Sequence, residues 1–147
     1  MKLTRKSLLV AAVALAVVVV AGGMVAMHMM APPADLDLSR SKATEKGVFL
    51  ASVEPEAGSF EQGEMHSWVL TIQQPDGTPV EDASIAVDGG MPQHGHGLPT
   101  SPQITGHLGD GRYRVEGVKF NMSGWWVLRF AISTSDAADE AVFNLTL

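Results

Sequence analysis

The 147-residue chain contains no cysteine. That removes thiolate from every metal site and every nucleophile, and it rules out disulfide stapling; metal ligands are left to His, Met, carboxylate or backbone. Aromatic residues are scarce, at 6% with a single tyrosine, so a core must rest largely on aliphatic side chains. Basic residues are also few, 10 Lys+Arg against 16 Asp+Glu. Three of the ten, Lys2, Arg5 and Lys6, lie at the extreme N-terminus, which leaves seven to balance all 16 acids beyond residue 31. A stretch this acidic is repelled by phosphate backbones and has no basic, aromatic-studded patch, so nucleic-acid binding is excluded. Catalytic signatures are missing as well. There is no nucleophile elbow, no His-Glu-x-x-His, no phosphate-cradling loop and no dinucleotide fingerprint. Paired acids such as Glu81-Asp82 fall in turn-like sequence and read as solvated surface. The expectation is a protein that is not an enzyme.

One long hydrophobic run is present, from Leu8 to Met30, interrupted by Gly22, Gly23 and His28. At helical rise it is long enough to cross a hydrocarbon core of about 30 Å. The basic residues precede it and none follows until Arg40, so the positive-inside rule leaves the N-terminus in the cytoplasm and exports the rest. Two readings compete. A signal peptide cleaved near Val20-Ala21-Gly22-Gly23 fits the small residues there, whereas an uncleaved signal-anchor fits the length of the run, which continues past that point. Length favours the anchor: residues 1–30 are predicted as a single transmembrane helix, with the domain facing the periplasm or extracytoplasmic side of the inner membrane. Residues 31–46 (APPADLDLSRSKATEK) show no sustained apolar period and read as a linker or stalk.

From residue 47 to 147 the pattern is short apolar runs between turn signals, and no window shows a helical period. His66, Trp68, Leu70 and Ile72 alternate with neighbours of the opposite face, as do Trp126, Leu128, Phe130 and Ile132; this is the period-two signature of half-buried strands. Pro75-Asp76-Gly77 and Gly109-Asp110-Gly111 are turns by composition. About seven strands are expected, near residues 48–53, 66–72, 84–88, 103–105, 113–116, 126–132 and 141–147. The fold class predicted is all-β, an immunoglobulin-like β-sandwich. Trp125 and Trp126 are adjacent and must face opposite ways, with Trp126 inward and Trp125 outward as a candidate partner contact.

One segment carries chemistry. Residues 89–102 (GGMPQHGHGLPTSP) hold four glycines, three prolines and two histidines. Proline fixes φ and glycine permits tight turns, so a constrained loop presenting Met91, His94 and His96 is expected. In an extended loop His94 and His96 would point the same way and meet one ion, with Met91 closing from the start of the loop. Met122 and His66 are candidate further ligands from neighbouring strands. Each has a structural alternative: loop anchor for Met91, core filler for Met122, satisfied strand histidine for His66, loop hydrogen bonding for the His94 and His96 imidazoles. His107 reads as surface. Soft Cu(I) takes thioether sulfur and Cu(II) prefers imidazole, so a mixed Met/His set suits copper.

The run MPQHGHGLPTSP, the block GDGRYRVEGVKFNMSGWWVLRF and a closing strand after Asp136-Ala137-Ala138-Asp139 together resemble the YtkA-like/FixH-like family over roughly Phe60 to Leu147. Its most specific elements are Met-Pro-x-His-Gly-His and Phe-x-Met-x-Gly-x-Trp. The resemblance implies a small extracytoplasmic β-sandwich behind one N-terminal membrane helix, linked with copper handling and terminal-oxidase assembly; some relatives carry an old auxin-binding label, for which this sequence offers no feature. The function it implies is a membrane-anchored copper-binding module with a copper-handling or oxidase-assembly partner. The alternative is a structural or interaction domain whose rigid loop recognises a membrane-complex partner.

Overall fold

The computed structural model describes residues 15–20 and 32–147. Two compact units are present, Met1–Pro33 and Ala34–Leu147. In the first, residues 15–20 are helical and exposed. The rest of the membrane span expected over residues 1–30, with either reading of its processing, lies outside the described residues. Among the described residues no helix is long and apolar enough to cross a membrane.

The second unit is all-β, with nine antiparallel strands: β1 (Ser41–Ala43), β2 (Leu50–Pro55), β3 (Met65–Gln73), β4 (Ser84–Met91), β5 (His96–Gly97), β6 (Gln103–Gly109), β7 (Arg112–Lys119), β8 (Trp125–Ser133) and β9 (Ala138–Thr146). They form two sheets, ordered β1-β2-β3-β7-β6 and β5-β4-β8-β9. All seven strands expected from the alternation are present. The two additions, β1 and β5, are three and two residues long, too short for a period to be read. β1 also revises the expected linker. Part of residues 31–46 is structural: Ser41 pairs with Ser52 and Ala43 with Leu50, and Asn144 donates to the Asp37 carbonyl. Its three residues, Ser41, Lys42 and Ala43, bury no large apolar side chain, so no alternation marks it.

The inward faces follow the two-residue period. Trp68, Leu70 and Ile72 from one sheet meet Trp126, Leu128, Phe130 and Ile132 from the other, together with Ala141, Phe143 and Leu145, in a single buried cluster. Each large side chain buried there contributes about 1.5–3 kcal/mol. The register of β3 on β7 slips between His66 and Trp68, which pair with Val118 and Val115. The extra residue is a bulge in β7 that lets Val115 and Val118, three apart in sequence, both reach the core.

One buried carboxylate joins the sheets. Asp139 on β9 accepts from Thr44 Oγ1 at 2.5 Å and from the Lys46 and Val48 N–H groups, and Thr44 Oγ1 in turn accepts the Phe49 N–H. Burial alone would push the Asp139 pKa up, but donation from Thr44, Glu140, Val48 and Lys46 outweighs it and holds the carboxyl below its usual range. Just before β4, Tyr113 donates to the Val80 carbonyl and accepts from the Ala83 N–H.

Candidate functional site

Beyond residue 31 the chain has three methionines and four histidines, and the topology gathers most of them at one end of the sandwich. β3 begins where β7 ends, with Met65 opposite Lys119. β8 begins where β9 ends, with Trp125 opposite Thr146, and β4 ends beside the start of β8, with Gly90 opposite Val127. Met65, His66, Met91, His94, His96 and Met122 therefore all lie at strand ends or turns of this one pole. The contact of Phe120 with Trp126, ring centres 5.3 Å apart, ties the two sheets together there. His107 is elsewhere, on β6, with its Nε2 2.6 Å from the Glu81 carboxylate and its ring tilted against Tyr113.

The Met-Pro-Gln-His-Gly-His segment is a tight hairpin, a constrained loop as expected, so His94 and His96 are related across a turn and not by alternation along an extended segment. The Met91 carbonyl accepts from both His94 N and Gly95 N, closing a four-residue connection whose last residue, Gly95, has φ +64°. A side chain there would be strained in this left-handed conformation. The hairpin register sets Met91 opposite His96. Directly opposed residues of an antiparallel pair project to the same face with β carbons about 5 Å apart, so the Met91 and His96 side chains leave the ladder on one side. Close approach of β5 to β4 depends on Gly90, where a β carbon would lie 2.4 Å from the His96 carbonyl oxygen.

His94 and His96 are brought together through the turn, with ring centres 5.9 Å apart and planes inclined by 40°. With metal–nitrogen bonds of about 2 Å, two imidazoles on one ion keep their centres within roughly 6 Å. The observed separation is near that limit. Both rings are exposed. His96 Nδ1 is engaged with the Gly97 carbonyl at 2.9 Å, which fixes the ring and leaves Nε2 as the nitrogen for an incoming ligand. Met91 is 1% exposed and lies in the core cluster, its methyl carbon 3.0 Å from where a β carbon on Gly124 would sit. An open depression of about 290 Å³ is lined by Met91 and His96 together with Asp88 and Arg129. A larger one of about 570 Å³, beside Arg40 and Phe60, has neither His nor Met in its wall.

The remaining candidates divide. The Met122 side chain is 37% exposed, so it is not the buried filler of the alternative reading, and its carbonyl accepts the Trp126 indole N–H at 3.0 Å. His66 is not brought to the pair. Its Nε2 is held by the main chain of Glu61, 2.8 Å from the carbonyl, and its ring packs on Phe120, which in turn packs on Trp126. Two aromatic rings thus separate His66 from His96. Trp126 faces inward as expected, fully buried. Trp125 faces the other way, half-buried, with its N–H donated to Asn144 Oδ1. Sequence reasoning passed over Trp126 as part of the site because strand alternation marks it only as core; its edge-on contact with His96, 5.8 Å between ring centres, appears only once β5 is placed. Among the described residues no three His, Cys, Asp or Glu side chains are grouped to hold an ion.

The fold and this pole define a small antiparallel β-sandwich domain with a His/Met hairpin at its edge. The chain belongs to the YtkA-like family, whose profile matches residues 40–131. The match starts well before Phe60, taking in β1 and β2, and stops within β8, short of β9. No curated protein and no solved structure matches the chain.

Proposed function

We propose that this chain is a membrane-anchored, extracytoplasmic copper-binding module, non-catalytic in itself, in which His94, His96 and Met91 hold the metal for copper handling or oxidase assembly. The observation that carries the reading is the hairpin register: Met91 opposite His96 puts a thioether and an imidazole on one face, and the turn adds a second imidazole 5.9 Å away. Two nitrogen donors and one sulfur donor, with no thiolate and no carboxylate in the set, match the preference of Cu(I) for soft and borderline ligands, while the imidazoles also accept Cu(II). The exposure of both rings suits an ion that arrives from and leaves to a partner. Anchoring and extracytoplasmic placement rest on the hydrophobic run Leu8–Met30 and the basic residues before it.

The test is a competition titration of the purified chain with Cu(I) and Cu(II) against chromophoric chelators, beside a His94→Ala/His96→Ala variant. The proposal expects Cu(I) bound at one equivalent and lost in the variant. Equal binding by both proteins would remove the metal reading and leave the hairpin as a rigid recognition element for a membrane-complex partner.

A further inference from the structure

The indole of Trp126 touches both halves of the pole. Its ring meets the His96 imidazole edge-on at 5.8 Å, and its N–H is donated to the carbonyl of Met122 at 3.0 Å. The turn that carries Met122 is fixed at its other end too: Gly124 and Leu147 exchange N–H···O bonds of 3.0 and 3.1 Å. Gly124 adopts φ +123° and is the residue against which the Met91 methyl packs. The 122–124 turn therefore has one wall made by Met91 and one tie made by Trp126. Met122 is the one methionine of this group whose side chain is exposed next to a residue that also seats a candidate ligand. Met65, though 59% exposed, pairs with Lys119 on the far side of Phe120.

Resting on the copper reading above, we infer that Met122 is the outer thioether donor of the hairpin site and that Trp126 is its positioning residue, holding the 122–124 turn and the His96 ring on one indole. The side chain is rigid and buried, so it transmits the placement of the turn to the imidazole without needing to touch metal. Outer-shell partners of this kind orient the ligand atoms and are worth roughly 10–100-fold in metal affinity. Phe120 and the other rings packed on Trp126 make no hydrogen bond to the turn, so the indole N–H is the specific tie between the turn and the core at this point.

The experiment is a double-mutant cycle on Cu(I) affinity with Trp126→Phe, which keeps the ring and deletes the N–H, and Met122→Leu, which keeps volume and deletes sulfur. Each single variant is expected to weaken Cu(I) binding about tenfold, and the double variant to weaken it no more than the worse single, because both act on one donor. Cu(II) binding, dominated by the imidazoles, is expected to change little in Met122→Leu. Thermal unfolding of the four proteins separates a folding defect from a site defect, and Trp126→Tyr gives a second ring-retaining variant should Trp126→Phe fold poorly. Multiplicative losses in the double variant, or unchanged Cu(I) affinity in Met122→Leu, would overturn the assignment. Failure of the wild-type chain to bind Cu(I) at all would instead count against the copper reading itself.

Discussion

The hairpin geometry can be broken without touching a ligand. In Gly90→Ala the new methyl would sit 2.4 Å from the His96 carbonyl oxygen and 2.9 Å from the Gly97 α carbon. Non-bonded contacts settle near 3.5 Å or more, so the two backbones must part by about 1 Å, and neither atom belongs to a side chain that can rotate away. β5 is the weaker partner. It has two exposed residues, held by the Gly90–Gly97 and Met91–His96 pairs and by the Leu98 N–H on the Gly89 carbonyl. The least costly response is for β5 to peel from β4, giving up two or three main-chain hydrogen bonds at about 1 kcal/mol each. The expected loss of stability is therefore roughly 1–3 kcal/mol, visible as a lower urea midpoint with an unchanged slope. Cu(I) affinity is expected to fall by at least tenfold, as for other losses of outer-shell support. Gly97→Ala is the matched control on the same ladder pair: its methyl would meet only the Gly89 carbonyl oxygen at 3.5 Å, an ordinary contact, so stability should stay within about 0.5 kcal/mol and binding should be preserved. Competition titration and amide exchange at residues 96–98 read both effects. Wild-type affinity and protection in Gly90→Ala, or equal damage in Gly97→Ala, would refute the argument that close approach of β5 builds the site.

Further outcomes follow from the same structure. Met91→Leu conserves volume, so it should cost less than about 1.5 kcal/mol of stability while lowering Cu(I) affinity markedly and Cu(II) affinity little; equal losses for both ions would deny the sulfur a role. Asp139→Ala leaves the Thr44 hydroxyl and the Lys46 and Val48 N–H groups without their acceptor, a loss of about 2–4 kcal/mol that denaturant unfolding would measure. Because the Asp139 carboxyl is held below its usual range, its stabilising effect is fully present above the ordinary carboxylate value of about 3.9. It should fade as pH falls below that value towards the folded-state constant. Stability measured between pH 5 and pH 2 should therefore decline less steeply in Asp139→Asn than in the wild type. Tyr113→Phe deletes the bonds to Val80 and Ala83 and should cost about 1–2 kcal/mol with copper binding unchanged, since the tyrosine lies away from the hairpin pole.

Much of the fold was legible in the chain because strand alternation is a local property. The faces assigned to Trp68, Leu70 and Ile72, and to Trp126, Leu128, Phe130 and Ile132, are the buried ones. β1 escaped because its side chains are polar, and its pairing is set by β2 and by the Asp139 clamp, neither of them local to residues 41–43. The site was legible in part. The Gly/Pro-rich loop announced a constrained turn with His94, His96 and Met91, but not how the imidazoles come together: along an extended segment alternation would align them, whereas here they meet across a turn closed by Gly95.

The amino-acid sequence alone determined that this is an acidic, cysteine-free chain with an all-β domain whose soft-metal donors can only be thioether and imidazole, because composition and two-residue periodicity are independent of where distant segments come to rest. Tertiary structure decided where those side chains lie. Met91 is paired with His96 by strand register, the Met122 carbonyl is tied to the Trp126 indole that also meets His96, and His66, on the same pole, is set apart by the rings of Phe120 and Trp126 and occupied by the Glu61 main chain. Those choices depend on how two sheets stack and where a bulge shifts the register, and contacts of that kind join residues that no local pattern connects.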